Sequence, residues 1–137
     1  MSQDPGMTLI NLIFGYIQSG ALACAAKLKI ADKLEAGPKS IEQLASEAGV
    51  HTQSLHRVLR MLASCGVFRE DEKGHWHLTP AAELMRTSLP HTLHHAVLMG
   101  TQDIFWKPTG ELQDVVRTGE NGMIPIFGAP FFEYFKQ

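Results

Sequence analysis

The stretch from Ser40 to Leu78 constrains the fold most, because two helical hydrophobic patterns are followed there by a strand pattern. The first apolar stripe has the i, i+3, i+4, i+7 spacing of an amphipathic helix and consists of Ile41, Leu44, Ala45 and Ala48. Ser40 is positioned to cap this helix in a capping box with Gln43, and Gly49 follows its last turn. The pattern therefore predicts a short helix.

A second amphipathic helix is predicted after only three residues. Its cap is expected at Thr52 and its end at Gly66. Its apolar stripe consists of Leu55, Val58, Leu59 and Leu62. A connection as short as Gly49–His51 makes two helices cross steeply, as in a helix-turn-helix.

A two-stranded hairpin is predicted next. Its strands are Val67–Glu70 and His75–Leu78, joined by the polar turn Asp71–Gly74. The side chains expected on its inner face are Phe68, Trp76 and Leu78. Thr79-Pro80 then begins another helix, with Thr79 as cap. This order of elements predicts a winged helix-turn-helix.

The segment Leu9–Ala26 has no charged residue over eighteen positions, just long enough to cross a membrane. Polar Asn11, Gln18 and Ser19, and the lack of Lys or Arg before the segment, argue against a membrane span and a signal peptide. A helix that is apolar on every side must be buried all round, and a short chain has little to cover it. We therefore expect a second copy of the chain to cover this helix. The predicted interface residues are Leu9, Ile13, Phe14, Tyr16 and Ile17.

Two helices are predicted in and around the uncharged segment Leu9–Ala26. The first covers Met7–Gln18 and the second covers Ala21–Glu35. Small residues cluster between them and mark either a hinge or a close approach of two helix backbones: Gly15, Ser19 and Gly20. The predicted fold class is thus mainly α, a winged helix-turn-helix with extra N-terminal and C-terminal helices that form an intertwined dimer.

The last third of the chain is predicted to be helical and then rich in aromatic residues and turns. Helices are expected over Pro80–Thr87, His91–Gly100 and Gln102–Thr118, the last one kinked or split by Pro108 and Gly110. The aromatic tail ends at Gln137 without a stop signal, so more protein is expected to follow.

Composition places the chain among globular proteins, with 137 residues, 45% hydrophobic and 19% charged. A net charge of -2 and a pI near 6.4 give no general attraction to nucleic acid or anionic lipid. Cys24 and Cys65 have neither a C-x-x-C nor a secreted spacing, which favours a reduced, cytoplasmic compartment.

No pattern for catalysis or metal binding stands out. His91, His94 and His95 could present two imidazoles to one ion, but no Asp, Glu or Cys lies within that turn, so we expect no metal site. Neither cysteine has a base nearby in sequence, and no phosphate-binding glycine loop is present. The sequence therefore predicts no catalytic residue.

A winged-helix transcription regulator that binds DNA is the alternative function. The outward face of the second helix carries only two certain positive charges, Arg57 and Arg60. The hairpin turn is acidic at Asp71 and Glu72, where a wing would meet phosphate. This surface is poor for duplex DNA, so nucleic-acid binding is not expected.

The run from Leu44 to Met85 resembles the N-terminal domain of S-adenosylmethionine-dependent O-methyltransferases of the plant caffeate and bacterial polyketide type. The motif residues that carry the resemblance are Gly49-Val50, Leu55, Arg57, Leu59-Arg60, Leu62, Gly66-Val67-Phe68 and Leu78-Thr79-Pro80. Later matches to the same family are Trp106, Gly119, Phe127-Gly128 and Phe132-Glu133-Tyr134.

The resemblance implies a dimerisation and substrate-lid domain whose N-terminal helices interlock with those of a second chain. It implies substrate contacts for Met99, Trp106, Phe127 and Phe131, with Ile13 and Tyr16 reaching the partner's pocket. Core packing is the alternative role of each. The family's cofactor-binding domain and catalytic histidine would follow Gln137, so no cofactor is expected on this chain. S-adenosylmethionine is expected in a full-length parent, with a small aromatic or polyketide hydroxyl as substrate.

The predicted domain organisation has three parts. Residues 1–6 are interpreted as a cloning remnant before a natural start at Met7. Residues 7–90 form the dimerisation winged-helix domain, and residues 91–137 form a helical substrate-lid and linker region leading to a catalytic domain beyond this sequence.

Overall fold

The computed structural model describes residues 4–136, and this part of the chain is mainly helical, as predicted. In chain order its elements are α1 (Pro5–Lys27), α2 (Ile30–Lys33), β1 (Lys39–Ser40), α3 (Ile41–Ala48), α4 (Thr52–Ser64), β2 (Arg69–Glu70), β3 (His75–His77), α5 (Pro80–Glu83), α6 (His94–Gly100), α7 (Asp103–Trp106), a 3-10 helix (Lys107–Glu111), α8 (Leu112–Thr118), α9 (Ile124–Phe127) and α10 (Phe131–Tyr134). Two compact units divide the chain, the first ending at Leu98 and the second beginning at Met99.

Helix α1 begins earlier than predicted. The Asp4 carboxylate accepts a hydrogen bond from the Gly6 N–H at 2.8 Å, and Pro5 occupies a first-turn position where its missing N–H costs nothing. The helix therefore starts at Pro5, before the predicted Met7. Residues 1–3 of the suggested cloning remnant lie outside the described residues, and the origin of residues 1–6 stays a prediction.

Helix α1 is also continuous through its small residues, so a hinge there is wrong. The Ser19 hydroxyl donates to the Gly15 carbonyl at 3.1 Å inside the helix, which runs unbroken to Lys27. The break falls later, where Lys29 takes a left-handed backbone conformation with φ 52°. The helix predicted over Ala21–Glu35 is thus divided between the end of α1 and α2.

The capping box of α3 is confirmed. The Gln43 N–H donates to Ser40 Oγ at 3.2 Å, and the Ser40 N–H donates to Gln43 Oε1 at 2.9 Å. Gly49 ends the helix in the left-handed region with φ 68°. For α4, the predicted cap at Thr52 is wrong.

The residue that caps α4 is His51. It can do so because an imidazole nitrogen accepts a hydrogen bond from a backbone N–H as a hydroxyl oxygen does. Its Nδ1 accepts from the Ser54 N–H at 3.3 Å, and its backbone is extended. Thr52 is instead the first residue inside the helix. The helix-turn-helix spacing is unaffected, since the shift is one residue.

A three-stranded antiparallel sheet in the order β1-β3-β2 replaces the predicted two-stranded hairpin. Strand β1 places Lys39 opposite Trp76, and β2 places Glu70 opposite Trp76 on the other side. The two residues of β1 are too few to show an alternating pattern. They could therefore be located only by their pairing with β3.

The strands of the hairpin are shorter than predicted. Phe68 lies outside β2 because it takes a left-handed conformation with φ 75°. Its side chain is buried, as is that of Trp76, which confirms their predicted inner position. Leu78 lies after β3 and is partly buried against the same core.

The core of the first unit lies between the second half of α1, helices α2 to α4 and the hairpin. Alanines line the buried side of α1, and their small size lets α1 and α4 pack closely. The largest fully buried side chains are Trp76, Phe68, Ile30, Leu44, Leu59 and Leu62. The hairpin is therefore packed on the helices through its aromatic residues.

Helix α5 ends at Glu83, short of the predicted Thr87. The Thr87 N–H and hydroxyl donate to the Asp32 carboxylate at 2.8 and 2.9 Å, so this backbone turns toward α2 instead of continuing the helix. Thr79 caps α5 as predicted, accepting from the Ala82 N–H at 3.3 Å.

Helix α6 begins at His94, after the predicted start at His91. Thr92 Oγ1 accepts from the His94 N–H at 3.1 Å, which fixes the start of the helix. In the second unit, the 3-10 helix contains Pro108 and Gly110 and separates α7 from α8, which confirms the predicted split.

Candidate functional site

The first half of α1 is a large exposed apolar surface. Its exposed side chains, with exposed fractions, are Met7 49%, Leu9 63%, Ile10 44%, Leu12 73%, Ile13 61%, Phe14 45% and Tyr16 63%. Four of the five predicted interface residues are among them, and the fifth, Ile17, is half-buried. This set is called the α1 surface below.

The α1 surface has two sides. At 100° per residue, Leu9, Leu12, Ile13 and Tyr16 share one side of the helix, and Ile10, Phe14 and Ile17 share another. A single copy of the chain leaves both sides exposed, which is unfavourable in water. Contiguous apolar surface of this kind marks an interaction site.

Two exposed leucines lie outside α1 in the first unit, and the sequence did not reveal their exposure. Leu84 and Leu93 are 45% and 49% exposed. The Leu93 N–H donates to the Leu84 carbonyl at 2.7 Å, and the Thr92 hydroxyl donates to the same carbonyl at 3.2 Å. The first hydrogen bond holds the backbones of Leu84 and Leu93 next to each other, and the two residues are called the leucine pair below.

An aromatic cluster is present in the second unit. Phe131 lies at its centre, with ring centroids 5.6 Å from Phe105, 5.3 Å from Phe132 and 5.1 Å from Phe135. Tyr134 extends it, at 5.8 Å from Phe135 and 5.3 Å from Phe127. The cluster therefore brings together two of the four predicted substrate residues, Phe127 and Phe131.

The other two predicted substrate residues lie elsewhere in the second unit. Met99 is exposed near the end of α6, and Trp106 is half-buried at the end of α7. The Trp106 carbonyl accepts from the Thr109 hydroxyl at 2.6 Å, which continues the chain into the 3-10 helix. Among residues 4–136, Trp106 takes no part in the ring contacts of the cluster.

Asp71 organises the hairpin turn. Its carboxylate accepts from the Lys73 and His75 N–H groups at 2.9 and 3.0 Å and lies 2.7 Å from His77 Nε2. The hydrogen bond with His77, followed by that with the His75 N–H, holds the pKa of Asp71 well below its usual range. Beside the turn, His56 Nε2 lies 3.3 Å from a Glu70 oxygen.

A shallow cleft of about 400 Å³ lies between the starts of α3 and α4 and the hairpin turn. Its charged lining consists of Glu42, Glu70 and Lys73, together with His56. Carboxylates thus outnumber certain cations where a helix-turn-helix would approach phosphate.

Two other properties bear on ligands and membranes. Within residues 4–136, no group of three His, Cys, Asp or Glu residues is arranged to hold a metal ion.

In the same part of the chain, α1 is long and apolar enough to cross a membrane by length and composition alone. One such helix near an N-terminus is weak evidence for a span.

Comparison with known proteins identifies the family. The sequence profile of the O-methyltransferase dimerisation domain matches residues 10–88. The phenazine O-methyltransferase PhzM of Lysobacter antibioticus is 37% identical over 129 residues, which cover 94% of this chain and 38% of that protein.

Solved structures agree with this match. The LaPhzM crystal structure has a TM-score of 0.87 at 35% identity, covering 98% of this chain and 40% of that chain. CalO1, a methyltransferase in calicheamicin biosynthesis, in its SAH bound form has a TM-score of 0.83 at 30% identity. The match covers 98% of this chain and 41% of that chain. The chain thus spans about two fifths of the length of these relatives. Because the profile covers more than half of the sequence, as the motifs from Leu44 to Met85 suggested, the chain belongs to the O-methyltransferase dimerisation domain family.

Proposed function

We propose that this chain forms a homodimer in which each copy covers the α1 surface of the other. The observation that carries the proposal is the exposure of seven large apolar side chains on one continuous helix. Covering them removes apolar area from water, which drives most protein association. Membership of a dimerisation domain family supports the same conclusion.

The test is the mass of the protein in solution and its response to Ile13→Asp. We expect sedimentation equilibrium to give twice the chain mass down to low micromolar concentration. Ile13→Asp places a carboxylate in the middle of the interface, where it has no partner, so the variant should be monomeric or insoluble. Val116→Asp is the matched control, because Val116 is 83% exposed on α8 in the second unit.

A monomeric wild type, or an Ile13→Asp variant as dimeric as the control, would contradict the proposal. Because insolubility alone would not separate misfolding from dissociation, Ile13→Ser serves as a milder variant. It should remain helical by circular dichroism while its dimer dissociates more readily than the wild type.

We propose further that α3, α4 and the sheet form a winged helix-turn-helix that acts as a scaffold and does not read DNA. The acidic groups around the hairpin turn support this, since Glu70 and Asp71 would repel phosphate. Titration of duplex DNA at several salt concentrations is the test. Salt-dependent binding at submicromolar affinity would favour the alternative, a transcription regulator.

The parent protein, we propose, is a cytoplasmic S-adenosylmethionine-dependent methyltransferase acting on the hydroxyl of a small aromatic or polyketide substrate. The phenazine O-methyltransferase relative and the SAH bound form of CalO1 support the reaction class. The two cysteines, Cys24 and Cys65, are free, which agrees with a reduced compartment. The test is transfer of a labelled methyl group to hydroxylated aromatic acceptors by the full-length protein.

Substrate contacts by Met99, Trp106, Phe127 and Phe131 are part of this proposal. The aromatic cluster supports it for Phe127 and Phe131, because planar rings pack well against flat aromatic substrates. In the full-length protein, Phe131→Leu should raise KM more than it lowers kcat. An unchanged KM with normal folding would assign Phe131 to packing alone.

A further inference from the structure

We infer that the leucine pair, Leu84 and Leu93, is the surface on one copy that receives the first half of α1 from the second copy. The inference rests on the proposed homodimer and adds the site on the partner that completes it. Within residues 10–88, all of which the structure describes, Leu84 is the one exposed large hydrophobic residue outside α1.

The two sides of the α1 surface require two covers, that is, two apolar surfaces that each bury one side of the helix. If α1 packs on α1 of the second copy, only one side of each helix is buried in that contact. The second side, about 100° away around the helix, still needs an apolar partner. In a twofold dimer the same unpaired side occurs on both copies, so the second cover must also be present on each chain.

The area of the α1 surface leads to the same requirement. A fully exposed large apolar side chain offers roughly 60–120 Å² of apolar surface. At exposures of 44–73%, the seven side chains together offer roughly 250–500 Å². A stable interface needs about 800 Å² from each partner, of which about 450 Å² is apolar. The larger side, with Leu9, Leu12, Ile13 and Tyr16, supplies about two thirds of what the seven offer, so a helix-to-helix contact alone still falls short.

The leucine pair has the properties of a receiving surface. Its two side chains are apolar and about half exposed, so they retain area to bury. Both hydrogen bonds to the Leu84 carbonyl hold the pair in place, which lowers the entropy lost on association. It belongs to the first unit, as does α1, so both halves of the contact lie in one compact body.

The first experiment measures the dimer dissociation constant of Leu84→Ser/Leu93→Ser by sedimentation. Four leucines leave a twofold interface at once, and we expect the dissociation constant to rise roughly a hundredfold. The matched control is Leu112→Ser/Val116→Ser, which changes two exposed apolar residues of α8. A dissociation constant within a factor of three of the wild type, or an equal loss in the control, overturns the inference.

The second experiment detects the contact directly, without relying on stability. In a Cys24→Ser/Cys65→Ser background, chains with Leu84→Cys are mixed with differently tagged chains that carry one cysteine at a position from Leu9 to Tyr16. A disulfide requires Cβ atoms about 4 Å apart. We expect cross-links between the two tags at positions three or four residues apart, on one side of the helix.

These experiments separate the inference from the proposed function. If Ile13→Asp dissociates the dimer but no position cross-links to residue 84, the homodimer stands and the leucine pair is not its second cover. If the wild type is monomeric, both the homodimer and the receiving surface are wrong.

Discussion

Replacing Thr79 by Val removes the hydroxyl that holds three backbone segments together. Thr79 Oγ1 accepts from the Phe68 N–H at 3.2 Å and from the Ala82 N–H at 3.3 Å, and it donates to the Gly66 carbonyl at 2.8 Å. The same hydroxyl therefore caps α5 and secures the turn between α4 and the hairpin. Valine keeps the shape of the side chain, so the substitution isolates the hydrogen bonds.

The expected loss of stability can be worked out from these contacts. Removing an N-cap costs about 1 kcal/mol. Leaving the Phe68 N–H without a partner costs a further 1 kcal/mol or so, at the low end for a buried donor because the group is only partly buried. Phe68 also carries the strain of φ 75°, which its hydrogen bond helps to hold. We expect the free energy of unfolding to fall by about 2 kcal/mol.

Urea unfolding followed by circular dichroism is the assay, with all variants at one protein concentration because association contributes to apparent stability. Thr79→Ser is the control, since it keeps the hydroxyl and loses only a methyl group; we expect it to lose less than about 1 kcal/mol. If Thr79→Val is as stable as Thr79→Ser, the hydroxyl does not hold the turn.

Two further predictions concern the hairpin turn and the second unit. The pKa of Asp71 is lowered by His77, so its contribution to stability is present above its ordinary pKa, about 4, and is lost as pH falls toward the lower folded value. The difference in urea midpoint between the wild type and Asp71→Asn should therefore be present in full above about pH 5 and shrink below about pH 4; a difference that does not change across this range would contradict it. Gly122→Ala should destabilise the second unit by about 1–3 kcal/mol, because a Cβ there would lie 2.8 Å from Val115 Cγ2. Gly110→Ala, which meets nothing within 4 Å, is the control, and equal losses in thermal melts would rule out the steric explanation.

Local signals in the sequence predicted the parts of the fold that depend on neighbouring residues. The capping box at Ser40, the cap at Thr79 and the end of the helix at Thr118 each follow from a few adjacent residues, and each is confirmed. The cap at His51 was missed because histidine is an uncommon cap and a threonine lies next to it. The sequence predicted Thr52 alone, and the backbone geometry places the cap one residue earlier.

Features set by tertiary contacts were not predictable in the same way. Strand β1 exists only through its pairing with β3, and Phe68 takes its left-handed conformation because its ring is buried while its N–H reaches Thr79. The α1 surface was predicted because an uncharged helix carries its own signal. The leucine pair carries none, since an isolated leucine at Leu84 has the same pattern whether it is buried or exposed.

The continuity of α1 connects the fold to the proposed dimer. Its second half packs alanines into the first unit's core, and its first half presents large side chains to the outside. Because the Ser19 hydroxyl bonds to the Gly15 carbonyl within an unbroken helix, the junction between the halves is not a hinge. The core therefore fixes the direction in which the exposed half projects, and in the proposed dimer that half would meet the second copy already oriented. Association would then cost little conformational entropy, because one helix would serve both the core of the unit and the proposed interface.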